Sequence, residues 1–171
     1  MKEDLVRALS AAGATVRFEQ RPGDIGAIIR LHGLLYSIEH GYGLGFEGYV
    51  AKTFAEYAWP LSERERLWLV EKSGELRGCI AIVKASETTA QLRWLLLLSG
   101  LRGCGLGRAL VSDALAFCRE NGYSSVTLWT EGSLSAATTL YRSFGFVRTE
   151  AKTSEIWGME RTEERYDLKL S

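Results

Sequence analysis

No sign of charge prevails in this sequence. Lys plus Arg and Asp plus Glu number 21 each, so the formal net charge is zero. A chain whose main partner is nucleic acid normally carries a basic excess, so that partner is not expected. Cysteine is scarce: Cys79, Cys104 and Cys118 form an odd set without metal-ligand spacing. No metal site is expected from them, and reduced thiols in a cytoplasmic protein are. Long hydrophobic runs are also missing. The longest, Trp94 to Leu98, is too short to cross a membrane, and Met1-Lys2-Glu3-Asp4 begins no signal peptide. There is no internal repeat, low-complexity tract or linker. What remains, at 171 residues and 46% hydrophobic, is one globular domain with enough chain to bury a core.

The most informative stretch is Arg102-Gly103-Cys104-Gly105-Leu106-Gly107-Arg108. An apolar run with strand character, Leu95 to Leu98, precedes it. A segment of helical period comes after it, with Leu106, Leu110, Ala114 and Phe117/Cys118 three and four apart. Strand, glycine turn and helix start together make an anion site, because the first helical amides lack internal partners and the helix dipole adds positive charge there. Glycines at 103, 105 and 107 let phosphate approach the backbone, and Arg102 and Arg108 can add charge-assisted hydrogen bonds. Cys104 fits as a small side chain in a crowded loop better than as a nucleophile, since neither histidine is nearby in sequence.

The residues after the glycines narrow the ligand class. A P-loop would need Lys-Ser or Lys-Thr, and Arg108-Ala109 stands there. A dinucleotide fingerprint would need a third glycine where Leu110 lies, although Glu131 near the end of the next strand could serve as its ribose-binding acid. The pattern Arg102-x-x-Gly105-x-Gly107 instead resembles the coenzyme A pyrophosphate loop of the GNAT superfamily of N-acetyltransferases. Ala137-x-x-Leu140-Tyr141-x-x-x-Gly145-Phe146 is similar to that superfamily's second signature, in the right order and separation. The likeness runs from about Val16 to Leu170. A finer one is carried by His32-Gly33-x-Leu35-Tyr36, Phe46-Glu47, Leu128-Trp129-Thr130 and Glu164-x-x-x-Leu168-x-Leu170. These resemble the acetyltransferase half of MarR-type regulator–acetyltransferase fusions. Their DNA-binding half has no counterpart here, and a chain of this length leaves no room for a winged helix beside the catalytic fold.

Residues 3–12 read as a short, peripheral helix ending at Gly13, an N-terminal extension to a domain spanning 14–171. Thr15 to Glu19 alternates as a first strand. Asp24 can cap a helix with the stripe Ile25, Ile28, Ile29, His32, Leu35 and Tyr36, His32 being read as a core histidine. A glycine-broken loop, 40–45, leads to a helix with Phe46, Tyr49, Val50, Phe54 and Tyr57, ended by Trp59-Pro60. The loop and its aromatics suit either a wall of an acceptor pocket or a plain interhelical turn. A hairpin is expected from Leu67–Glu71 and Leu76–Ala85, then a strand Leu92–Leu98 covered on both faces. The helix 105–121 makes the crossover to Ser125–Thr130 helical, so those two strands should run parallel. A helix from Ser135 to Phe144 presents Ala137, Leu140, Tyr141 and Phe144, and two last strands, near 146–152 and 165–170, flank a polar loop, 153–163. The expected fold is α/β, GNAT-like: a mostly antiparallel mixed sheet with a central splayed parallel pair, flanked by helices.

The resemblance implies acetyl transfer from acetyl-CoA, used as a cosubstrate without metal, to an amine by direct attack on the thioester. It places the cofactor on Leu97, Leu98, Ser99, Arg102, Gly103, Cys104, Gly105, Leu106, Gly107, Arg108 and Ala137. It makes Tyr141 the acid for the departing thiolate, although a tyrosine on an apolar helical face is otherwise a core residue. Two departures stand out. Leu134 replaces a frequent asparagine, and Arg93 and Trp94 stand where many relatives have an acid. The base is therefore unassigned, with Glu131 and Glu47 as candidates, and a cofactor-binding but non-catalytic regulatory module is the alternative. Tyr42, Phe46, Arg93 and Trp129 are the expected acceptor contacts. Arg93, if it faces the pocket, would favour an acceptor carrying a carboxylate; otherwise it faces a helix and pairs with a surface acid. The sequence does not choose among small-molecule and peptide amines, and it leaves a homodimer open.

Overall fold

A computed structural model describes residues 1–57 and 59–170. Seven strands form one sheet in the order β1-β2-β3-β4-β5-β7-β6. They are β1 (Thr15–Arg17), β2 (Arg66–Lys72), β3 (Glu75–Lys84), β4 (Thr89–Leu97), β5 (Ser125–Glu131), β6 (Val147–Ile156) and β7 (Met159–Lys169). Five α-helices cover it: α1 (Glu3–Ala12), α2 (Asp24–His40), α3 (Leu44–Ala55), α4 (Leu106–Glu120) and α5 (Ser135–Ser143). Every pair is antiparallel except β4 with β5, as the helical crossover requires.

Alternation along the strands sorts side chains into two apolar layers. Trp68, Val70, Ile80, Ile82, Leu92, Val126, Leu128 and Tyr166 face α1, α4 and α5, whose Leu5, Leu9, Leu106, Leu110, Phe117 and Tyr141 cover them. Leu67, Leu69, Cys79, Ala81 and Leu96 face α2 and α3, meeting Ile28, Phe46, Val50 and Phe54. β2 and β3 are apolar on both faces for this reason.

The parallel pair holds only from Thr89↔Ser125 to Gln91↔Thr127. Beyond that level β4 stays bound to β3 and β5 stays bound to β7, so the sheet opens as a wedge between them. A bulge sits on the β4 side of it. The register slips between Cys79↔Leu96 and Ala81↔Arg93, and Trp94 has φ of 51°. That backbone costs a bulky residue about 1–3 kcal/mol. It is offset by the indole stacked 3.8 Å from Phe54 and donating to Thr53 Oγ1 at 3.0 Å. Opposite the bulge, a β-carbon at Gly78 would come within 2.5 Å of the Leu97 side chain and 2.7 Å of the Leu96 carbonyl.

Three local expectations are corrected. The polar stretch 153–163 is mostly strand: β6 and β7 pair from Val147↔Asp167 to Ile156↔Met159, turning at Trp157-Gly158. β6 is exposed along nearly its whole length, so no buried face imposed a period of two on its sequence. α1 is part of the core rather than peripheral, with Leu5 and Leu9 buried against α4. Asp113 of α4 holds both the Lys2 amide at 2.6 Å and the Trp68 indole at 2.9 Å. Asp24 does not cap α2; it takes two hydrogen bonds from Arg17 and one from the Arg21 amide. β1 ends at Arg17. The expected strand Leu92–Leu98 is present as part of β4, with the bulge at Trp94 inside it.

Candidate active site

The wedge continues into a cavity of about 380 Å³ that passes between the two helical layers. Its lining includes Tyr36, Tyr42, Phe46 and Val50 from the α2–α3 side, Arg93 to Leu97 from β4, Trp129 and Glu131 from β5, and Ala137 and Tyr141 from α5. At one end lies the glycine loop. Gly103 and Gly105 have φ of 77° and 81°, a backbone that residues with a β-carbon rarely adopt. Gly105 is the N-cap of α4 and supplies no side-chain cap. The amides from Gly103 through Arg108 donate to no acceptor among the described residues, the first helical bond being Ala109 N–H to the Gly105 carbonyl. This is an N-terminus left open to an anion.

Arg102 is held between the loop and the wedge. Its Nε donates to the Leu97 carbonyl at 2.5 Å and its guanidinium to Glu39 of α2 at 2.7 Å. Arg108 lies over the Phe144 ring and donates to Ser143 Oγ at 2.8 Å. Leu98 N–H donates to the Arg77 carbonyl of β3. Neighbouring peptide units in a strand point to opposite edges, so the Leu97 N–H is turned toward the opening beside β5.

Tyr141 is buried against Phe146, and burial raises the pKa of its hydroxyl, which stays protonated near neutrality. Across the cavity, Glu131 accepts from Tyr42 Oη at 3.1 Å, from the Ser133 amide at 3.2 Å and from the Ser133 hydroxyl. Burial and the adjacent Glu131 keep the Tyr42 phenol protonated too. His32 is buried, with Nδ1–H donating to the Ile28 carbonyl at 2.9 Å, and desolvation lowers its pKa to about 4. It is a satisfied core histidine that also borders the cavity.

Residues 35–146 match the sequence model of the "Acetyltransferase (GNAT) family". The chain belongs to that family. N-acetyltransferase 8 of Rattus norvegicus is 35% identical over 102 residues, 56% of this chain and 46% of that protein. N-acetyltransferase 8B of Homo sapiens is 30% identical over 95 residues, 53% and 42% of the two chains. This GNAT chain thus matches less than half the length of these curated relatives. Among solved structures, spermidine N-acetyltransferase from Vibrio cholerae, in complex with CoA and spermine, superposes with a TM-score of 0.65 at 20% identity, over 92% of this chain and 96% of that one. A GNAT family acetyltransferase from Elizabethkingia anophelis with acetyl-CoA bound gives 0.60 at 14% identity, over 92% and 99%. At such identities the likeness is one of fold.

The GNAT frame brings half of the residues expected from the sequence to one place. Tyr42, Phe46, Arg93, Leu97, Arg102, Trp129, Glu131, Ala137 and Tyr141 all line the cavity, as does Leu134. None of 103–108 lines it; the loop follows Arg102, and Gly107 sits beside the Leu97 side chain, whereas Leu98 and Ser99 face a separate surface groove beside α2. Glu47 is not brought in. Phe46 and Val50 face the sheet, which turns Glu47 toward α2, where its carboxylate packs against Gly33. It is therefore dropped as a base. Trp157 and Glu163 also line the cavity and were not selected. Trp157, at the tip of the β6–β7 hairpin, stacks on Tyr42 at 5.3 Å and meets Phe46 and Tyr49. Both residues lie in the stretch read as a loop, so the period that would have aimed them was invisible. His40 and Tyr42 of the loop 40–45, and Phe46 after it, line the cavity.

Proposed function

We propose that this protein moves an acetyl group from acetyl-CoA to the primary amine of a small molecule or peptide, by direct attack. The row of unpaired amides from Gly103 to Arg108 carries the proposal, because it matches a diphosphate in charge and in hydrogen-bonding demand. Arg102 and Arg108 add charge beside it. Leu97 and Ala137 would border the pantetheine arm, and acetyl-CoA supplies the activated thioester. The Leu97 N–H supports polarisation of a carbonyl in the wedge, where one such donor contributes about 3 kcal/mol. Glu131 takes the proton of the attacking amine, directly or through water, as the C–N bond forms. Tyr141 gives its proton to the sulfur as the C–S bond breaks.

Two finer points belong with this reading. The His32-Gly33, Phe46-Glu47, Leu128–Thr130 and Glu164–Leu170 segments support placing the chain beside the acetyltransferase half of MarR-type fusions. The unpaired Cys79, Cys104 and Cys118 suit the cytoplasm. No helix among the described residues is long and apolar enough to cross a membrane.

Gly105→Val tests the cofactor site. A β-branched residue at φ of 81° is strained, and its side chain would occupy the open space beside the loop. Calorimetry should show acetyl-CoA bound by the wild type and lost in the variant, while circular dichroism shows the fold retained. In the wild type, an amine panel should release free coenzyme A with at least one acceptor. Acetyl-CoA affinity unchanged in the variant, or NADH bound as tightly as acetyl-CoA, would overturn the placement.

A further inference from the structure

The charges of the cavity are arranged by the sheet. Gln91 and Thr127 form the last parallel pair, so Arg93 on β4 and Trp129 and Glu131 on β5 project from the same face. Glu163 and Arg165 of β7, opposite Glu131 and Trp129, share it. That face meets α2 and α3, because Arg93 is paired with Ala81 of their apolar layer. The alternative in which Arg93 pairs with a surface acid is not what forms. Its guanidinium donates to the Tyr57 hydroxyl at 2.9 Å and lies 5.5 Å from the Tyr57 ring centroid and 5.3 Å from that of Trp94. Among the described residues it enters no ion pair, whereas Arg102, at the other side of the cavity, is matched by Glu39.

Glu131 lies two residues further from the last parallel pair than Arg93, an offset of about 7 Å along the strands. The cavity that holds both groups is also lined by Phe46, Tyr49, Val50, Trp129 and Trp157, with Glu163 opposite Glu131. A polyamine would bring a second cation against Arg93, at a cost that grows in a site shielded from water. A carboxylate there would meet a planar donor already oriented by Tyr57.

We propose that the acceptor carries a free carboxylate, held by Arg93 and oriented by Tyr57, together with a large apolar or aromatic side chain lodged among Phe46, Tyr49 and Trp157. Its amine then points to Glu131. This is the chemistry of a free aromatic or large aliphatic amino acid, and it rests on the acetyl-transfer reading above. A binding measurement separates the two, since it needs no turnover. N-acetyl-L-phenylalanine and its amide are titrated against the protein saturated with coenzyme A and against the protein alone, read by the fluorescence of the cavity tryptophans. The wild type should prefer the acid about ten- to a hundredfold, the scale of a charge-assisted hydrogen-bonded contact. Arg93→Gln should remove the preference and Arg93→Lys should keep part of it. Thermal melts confirm that each variant folds. Equal binding of acid and amide, no binding of either, or a preference that survives in Arg93→Gln overturns the proposal. Preference for the acid in a protein that binds no coenzyme A would instead overturn the acetyl-transfer reading and leave the carboxylate site standing.

Discussion

Replacing His32 by asparagine should change the pH dependence of stability while leaving the helix intact. An asparagine amide can keep the donation that His32 Nδ1–H makes to the Ile28 carbonyl, but it cannot titrate. The imidazole is 4% exposed, and burial lowers its pKa from 6.5 to about 4. A depressed histidine is stabilising as the neutral ring, fully so above the unfolded pKa. As pH falls from 6.5 toward 4, the unfolded chain takes up a proton that the folded chain refuses, and stability is lost. With those two values the loss is about 2 kcal/mol at pH 5 and about 3 kcal/mol at pH 4, against almost nothing at pH 7. Urea unfolding of wild type and His32→Asn from pH 7.5 to 4 isolates this residue, because every other titrating group is common to both. The difference in unfolding free energy should shift by about 2 kcal/mol between pH 7 and pH 5, at the expense of the wild type. Parallel curves across that range would refute the burial-driven depression and reopen His32 as a charged participant in the cavity.

The wedge leads to two further outcomes. Tyr141→Phe keeps the packing against Phe146 and removes the only proton that Tyr141 can give, so turnover should fall about ten- to a thousandfold with acetyl-CoA affinity little changed; equal turnover would return Tyr141 to a purely packing role. Gly78→Val should lower the melting temperature and cost about 1–3 kcal/mol, because its side chain would collide with Leu97 and the Leu96 carbonyl opposite the bulge; an unchanged melt would mean that β3 and β4 separate there without cost.

What the sequence made legible was whatever leaves a local period or a breaker. Glycines at 103, 105 and 107 announced a backbone open to phosphate, and Leu106, Leu110, Ala114 and Phe117 announced a helix face, so the anion loop and the parallel crossover could be placed. The bulge could not, because Trp94 to Leu98 reads as one apolar run whether or not the register slips. Trp157 and Glu163 were hidden for a related reason: with both faces of β6 in solvent, polar residues satisfy strand and loop equally. Glu47 was misplaced because the helix starts at Leu44, and only its packing on α2 shows which way the carboxylate turns. Arg93 stood between two readings until its register with Ala81 fixed the face.

The position of β7 bears on how the chain acquires its shape during synthesis. β7 lies between β5 and β6, although it follows both in the chain. Until residues 159–169 leave the ribosome, β6 has no partner and the inner edge of β5 stands open with its backbone donors and acceptors free. The wall of the cavity built by Trp157 and Glu163 is missing for the same interval. The nascent chain therefore passes through a stage with an adhesive sheet edge and no complete pocket, and a single late insertion resolves both at once.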